Sequence, residues 1–188
     1  MRKLFLLLFC VLPIFAIAQE HMEFRGIPID GDVTSFVSKM KDLGYKLDEV
    51  DGDVTIMSGK FTGKDAHLYI VSSPKTKIAC KVMIFFEKQT SWSSLKSMYD
   101  DYKELLEQKY NIKPSSYEYF RKPYKAGDGY EMQALRLDKC VYNSFYETPQ
   151  GYIALSIESN QTISIGYEDA INIEIRSKEK ESNTLEEL

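Results

Sequence analysis

Two amphipathic helices, each trailed by strand-like segments on short turns, restrict this chain more than any other feature. In the first, Val33, Phe36, Val37, Met40 and Leu43 fall at i, i+3, i+4, i+7 and i+10 and form one apolar stripe. Asp30 or Asp32 can cap its start, and Gly44 suits the left-handed position past its end. The second runs from about Ser91 to Tyr110, with Trp92, Leu95, Met98, Tyr99, Tyr102, Leu105, Leu106 and Tyr110 on its apolar side. Ser91 can cap it, Asn111 can take the left-handed turn, and Pro114 forbids continuation. Strands joined by a few residues pair antiparallel, because a parallel crossover needs a dozen residues or more.

The strands follow from alternation and turn chemistry. Phe24 to Ile29 is a short candidate, and Pro28 puts it at an edge or a strand end. Tyr45 to Val50 and Val54 to Ser58 flank Asp51-Gly52-Asp53, a favoured hairpin turn. Ala66 to Ser72 and Lys77 to Glu87 come next; in the latter Ile78, Cys80, Val82, Ile84 and Phe86 share one face. After the second helix, Ser115 to Gly129 reads as irregular and Tyr130 to Lys139 as helix or strand. Cys140 to Glu147, Gly151 to Glu158 and Thr162 to Tyr167 read as strands, with Asn172 to Arg176 as a last one. Ser177 to Leu188 is charged and reads as a disordered tail. The expected fold is α+β, an antiparallel sheet with two main helices on one face. It occupies residues 19–176, as one continuous sheet or as two tandem helix-plus-meander halves, 22–88 and 90–176.

The first eighteen residues read as a secretory signal peptide. Arg2 and Lys3 are the basic start, Leu4 to Phe15 the apolar core, and Ala16-Ile17-Ala18 the small residues that precede cleavage at Gln19. The apolar run is shorter than the roughly 20 residues of a bilayer span. No later stretch reaches that length, so no membrane span is expected after cleavage. No Cys stands at the cleavage point for a lipid anchor, and the expected location is periplasmic or secreted. Loss of Arg2 and Lys3 takes 24 basic residues to 24 − 2 = 22 against 28 acidic, a net charge of 22 − 28 = −6. Such a surface repels nucleic acid and anionic membranes.

The export signal, the run Phe24-Arg25-Gly26-Ile27-Pro28-Ile29-Asp30-Gly31 before a helix, and Gly166-Tyr167-Glu168-Asp169 with Asn172 together resemble uncharacterised exported proteins of the Bacteroidetes. The resemblance covers most of the chain after the signal. The helix-then-meander layout is similar to beta-lactamase-inhibitor-like and PepSY-like periplasmic modules, which implies a tandem fold but no substrate or catalytic residue.

Residues that carry chemistry are sparse. Nucleophile–base catalysis needs a base in reach, most often His. His21 lies beside the cleavage site and is expected in a mobile terminus, while His67 reads as a half-exposed structural side chain. No GxSxG or CxxC occurs. Asp48, Asp51 and Asp53 lack the spacing and closing Glu of a calcium loop and fit a hairpin turn. Glu147, Glu158, Glu168 and Asp169 are scattered over the late strands. No catalytic residue, metal site or cofactor is therefore expected. The most unusual composition is Tyr117, Tyr119, Phe120, Arg121, Lys122, Tyr124 and Lys125, basic and aromatic in an acidic protein. Two readings stand: a recognition surface, or aromatics folded inward over the sheet with their cations reaching out. Cys80 and Cys140 likewise form either a disulfide, which export permits, or two separate core thiols. The function expected is an exported, non-enzymatic binding module for a protein or glycan partner in the cell envelope. A proteinaceous inhibitor of a secreted enzyme and a polymer-degrading hydrolase are the rivals.

Overall fold

A computed structural model describes residues 20–187. The expected signal peptide, residues 1–18, and the cleavage point before Gln19 lie outside the described residues. A two-stranded hairpin, β1 (Glu23–Phe24) and β2 (Ile27–Pro28), leads into α1 (Val33–Asp42). Then come β3 (Lys46–Asp51), β4 (Val54–Phe61), β5 (Lys64–Ser72), β6 (Ala79–Phe86) and α2 (Trp92–Tyr110). The chain continues through β7 (Ser115–Phe120), α3 (Glu131–Arg136), β8 (Cys140–Thr148), β9 (Gly151–Ile157), β10 (Ile163–Asp169) and α4 (Ala170–Glu187). Strands β3 to β10 form one eight-stranded sheet in the order β3-β4-β5-β6-β10-β9-β8-β7, and all its pairings are antiparallel. The fold is α+β. A helix followed by a four-stranded meander occurs twice, and the last strand of each meander, β6 and β10, join the two into one sheet.

Local chemistry sets the helix ends. The Asp32 carboxylate accepts from the N–H groups of Thr34 (2.9 Å) and Ser35 (3.3 Å) and caps α1. Ser91 Oγ accepts from Ser94 N at 3.1 Å and caps α2, and Asn111 ends it in the left-handed region at φ 53°. Phe36, Val37 and Met40 of α1 and Leu95, Tyr99 and Leu106 of α2 are buried. They pack over the face that carries Leu68, Ile70, Val82, Ile84, Ile153, Leu155, Ile163 and Ile165. The small hairpin belongs to the same layer, where Phe24 packs on Phe61 and Tyr167 with ring centroids 5.7 and 5.6 Å apart. Leu105, read as part of the apolar side of α2, is 53 % exposed. It lies at the margin of the stripe that Leu95, Tyr99 and Leu106 centre.

The C-terminal part departs from expectation. Asn172 to Arg176 is helix and not strand, and 177–187 continues it instead of forming a disordered tail. Ile171, Ile173 and Ile175 alternate like a strand, but Asp169 Oδ1 accepts from Asn172 N at 2.8 Å and starts a helix. Side chains then anchor it on other elements. Arg176 donates to Asp53 (2.5 Å) and to the Ser72 carbonyl (3.1 Å). Glu179 accepts from the N–H groups of Lys75 and Thr76 and from the Thr76 hydroxyl. Desolvation opposes ionisation of Glu179, but these donors prevail and hold its carboxyl below the usual range. Two more segments resolve. Ser115–Phe120, read as irregular, is strand β7, and Tyr130 to Lys139 contains the short helix α3.

Leu105 and Leu106 give a paired test of the α2 face. Leu106 is 5 % exposed, and Leu106→Ala is expected to cost about 2–5 kcal/mol in denaturant unfolding. Leu105→Ala should stay within about 0.5 kcal/mol of wild type. Equal costs would mean that the helix is rotated on the sheet.

Candidate binding face

Alternation along the strands gives the sheet two unlike sides. One is packed beneath α1, α2, α3 and the small hairpin. On the other, the pairing registers align side chains in rows that cross the strands. One row runs Ser115, Phe145, Ala154, Gly166, Met83, Tyr69, Ile56. The next runs Tyr117, Asn143, Ser156, Ser164, Phe85, His67, Ser58. Tyr119 stands beside Val141, and Glu147, Tyr152, Glu168 and Lys81 make a further row. α4 is anchored at the strand ends, on Ala79, Ser72 and Asp53.

This open side is unusually aromatic. Tyr117, Tyr119, Phe145 and Tyr152 are 56, 44, 43 and 48 % exposed, and they cluster on β7, β8 and β9. Tyr117 meets Phe145 edge-on with centroids 6.2 Å apart. At the centre Lys81 pairs with Glu168 at 2.9 Å, so the two charges there neutralise each other. On the first half Tyr69 and Phe85 meet edge-on at 5.1 Å, beside a shallow groove of about 630 Å³ lined by Val54, Val71, Met83 and His67.

The basic aromatic stretch is divided by the sheet. Tyr117 and Tyr119 point to the open side. Phe120 turns inward, edge-on to Trp92 at 5.4 Å and to Tyr142 at 6.0 Å. Tyr124 is half-buried and its hydroxyl accepts from Gln133 at 3.2 Å. Arg121, Lys122 and Lys125 are exposed on the loop after β7. Phe120 and Tyr124 thus fold inward, while Tyr117, Tyr119 and the three cations stay exposed. Phe145 and Tyr152, which join the exposed aromatic cluster, do not stand out in the sequence. Their signal was a large aromatic at strand positions of solvent parity, and only the strand order places them beside Tyr117.

The remaining candidates disperse. His67 is half-exposed, at 3.9 Å from Asp48 and 4.0 Å from Glu87. Asp48 accepts from the Ser58 hydroxyl, whereas Asp53 is held by Arg176. Glu158 accepts from Ser164, Glu168 pairs with Lys81, and Asp169 is fully buried. Among the described residues no group of three or more His, Cys, Asp or Glu is arranged to hold a metal. His21, expected in a mobile terminus, is instead fixed. Its Nδ1 lies 3.1 Å from Asp169 and its Nε2 3.5 Å from Asp30. The two carboxylates sit at different ring nitrogens, and both also accept from Asn172. Asp169 also accepts from Met22 N at 2.7 Å, and Asn172 Nδ2 donates to the Ile29 carbonyl at 2.9 Å. Asp30, Asp169 and Asn172 thus fasten the N-terminal segment to the β10–α4 junction.

The disulfide weighed between Cys80 and Cys140 is not formed; both thiols are free and buried. Cys80 is on β6 and Cys140 on β8, with β10 and β9 between them. Three strand spacings are about 14 Å, and a bridge requires Cα atoms within about 7 Å. Burial pushes each thiol up to about 12. Both should be protonated and inert at neutral pH. A chain that starts at Gln19 should therefore show no rapidly reacting thiol when folded and two after denaturation without reductant. Absence of thiols in the denatured, unreduced monomer would contradict this arrangement.

The chain matches no known family model, and no curated protein and no solved structure is significantly similar to it.

Proposed function

We propose that the protein is an exported, non-enzymatic binding module that works in the periplasm or outside the cell. It takes an envelope protein or glycan on the open side of its sheet. The observation that supports this reading is the cluster of Tyr117, Tyr119, Phe145 and Tyr152, each more than two-fifths exposed on one continuous surface. Contiguous exposed apolar patches mark interaction sites more often than scattered single residues do. Tyrosine binds at low entropic cost and dominates many interface hot spots. The short neighbours Asn143, Ala154 and Ser156 leave room for a partner to reach the rings. Arg121, Lys122 and Lys125 at the rim add cations to an otherwise acidic protein and favour approach of an anionic or polar partner.

The test is capture from cell-envelope extract by immobilised chain starting at Gln19. A Phe145→Ser/Tyr152→Ser variant that keeps the wild-type melting temperature should retain at least ~tenfold less of whatever the wild type holds, as for loss of hot-spot residues. Equal retention by the two would overturn the assignment of binding to this face.

A further inference from the structure

The two edges of the eight-stranded sheet differ. Edge β3, Lys46–Asp51, carries Lys46, Asp48, Glu49 and Asp51, and its register slips between Leu47 and Glu49. Charges and a bulge are the devices that keep a strand edge from pairing with another chain. Edge β7, Ser115–Phe120, has an unbroken six-residue register on β8 and a single charge, Glu118. That charge is already engaged, since Glu118 accepts from Lys103 at 2.6 Å and from the Tyr99 hydroxyl at 3.2 Å.

The main chain of β7 also faces outward in a defined way. Arg121 N donates to the Lys139 carbonyl at 2.7 Å, in the same register that pairs Phe120 with Cys140. Hydrogen-bonded and non-hydrogen-bonded pairs alternate in an antiparallel ladder. Tyr117 and Tyr119 therefore turn their main-chain groups toward β8, and Ser116, Glu118 and Phe120 turn theirs away from it. Among the described residues no main-chain hydrogen bond satisfies the outward groups of these three.

We infer that β7 pairs antiparallel with β7 of a second copy of this chain, about a twofold axis normal to the sheet. Such an axis keeps both open sides facing the same way, and side-chain parity allows only registers that match odd with odd. Centring the axis on Glu118 uses all three outward residues. Ser116 then lies opposite Phe120 of the partner subunit, and Tyr117 opposite Tyr119 of the partner subunit. Tyr117 and Tyr119 form the closer, non-hydrogen-bonded pairs, in which cross-strand aromatics interact best. The two Glu118 side chains meet on the helix side, each neutralised by its own Lys103. The occupant is a second copy because the strand is complementary to itself in this register and the opposite edge is charged against pairing. The two aromatic clusters become one surface across the dimer. Five paired residues from each strand make a small interface, so the dimer is expected to be weak.

Sedimentation of the chain starting at Gln19, from low to high micromolar concentration, decides the matter. The wild type should pass from monomer to dimer mass. Y117K/Y119K puts like charges opposite each other at two places and should weaken the dimer at least ~tenfold. Y117K/Y119E sets Lys against Glu across the axis and should restore dimerisation at low salt. A wild type that stays monomeric throughout, a dimer indifferent to Y117K/Y119K, or failure of Y117K/Y119E to restore it would each overturn the proposal.

Discussion

Everything in the sheet depends on the seam between β6 and β10. Each half is a helix over a four-stranded meander, with one covered side and one bare side. Five residue pairs, from Ser164 with Phe85 to Glu168 with Lys81, join the halves into one surface. Val82, Ile84, Ile165 and Tyr167 meet on the covered side of the seam and are buried. On the bare side Lys81 and Glu168 form an ion pair across it. At one end the Thr162 hydroxyl donates to the Phe86 carbonyl, and at the other Asp169 closes β10 and starts α4. Because both meanders enter the seam antiparallel with the same side toward their helices, α1 and α2 cover the same side of the sheet. The open aromatic side follows from that pairing.

The covered side is held by polar clamps as well as by apolar packing. Tyr99 Oη lies 2.6 Å from Ser144 Oγ, which is 2.8 Å from Ser116 Oγ, so α2, β7 and β8 share one hydrogen-bond chain that runs from the core to the sheet edge. Tyr102 reaches the other half, stacking on Phe86 at 4.9 Å and meeting the Thr62 hydroxyl at 2.5 Å. At the far end His21, Asp169 and Asn172 lash the N-terminal hairpin to the start of α4. These contacts concentrate the polar clamps on one side of the sheet, while the opposite side carries the Lys81–Glu168 ion pair and a few ring contacts. The rings of Tyr117, Tyr119, Phe145 and Tyr152 stay largely exposed beyond the single Tyr117–Phe145 contact, and that exposure is what suits them to a binding role.

Much of this architecture was legible in the sequence because it is local. Asp32, Ser91 and Asn111 end helices by chemistry within three residues, and the alternation through Val82, Ile84, Ile153 and Leu155 marks the buried side directly. What misled was local pattern overruled at long range. Ile171, Ile173 and Ile175 alternate like a strand, yet Asp169, Asp53 and Thr76 hold that segment as helix. Glu179 lies in a charged tail that looks unable to order, although its partners Lys75 and Thr76 lie on a distant turn. Of the open face, Tyr117 and Tyr119 stood out by composition alone. Phe145 and Tyr152 did not, because their place beside them requires that β7, β8 and β9 be neighbours. His21 was beyond reach for the same reason, since both its carboxylates come from elsewhere in the chain.

Tyrosine nitration at low micromolar concentration, read by peptide mass, tests the one-sided sheet most directly. The reaction needs an accessible phenolate. Burial both hides Tyr99, Tyr146 and Tyr167 and pushes their phenols up. The account predicts early modification of Tyr117, Tyr119 and Tyr152, with Tyr99, Tyr146 and Tyr167 unmodified until the protein unfolds. Protection of Tyr152 equal to that of Tyr146 in the monomer would show that the supposedly open side is covered, and would contradict the account.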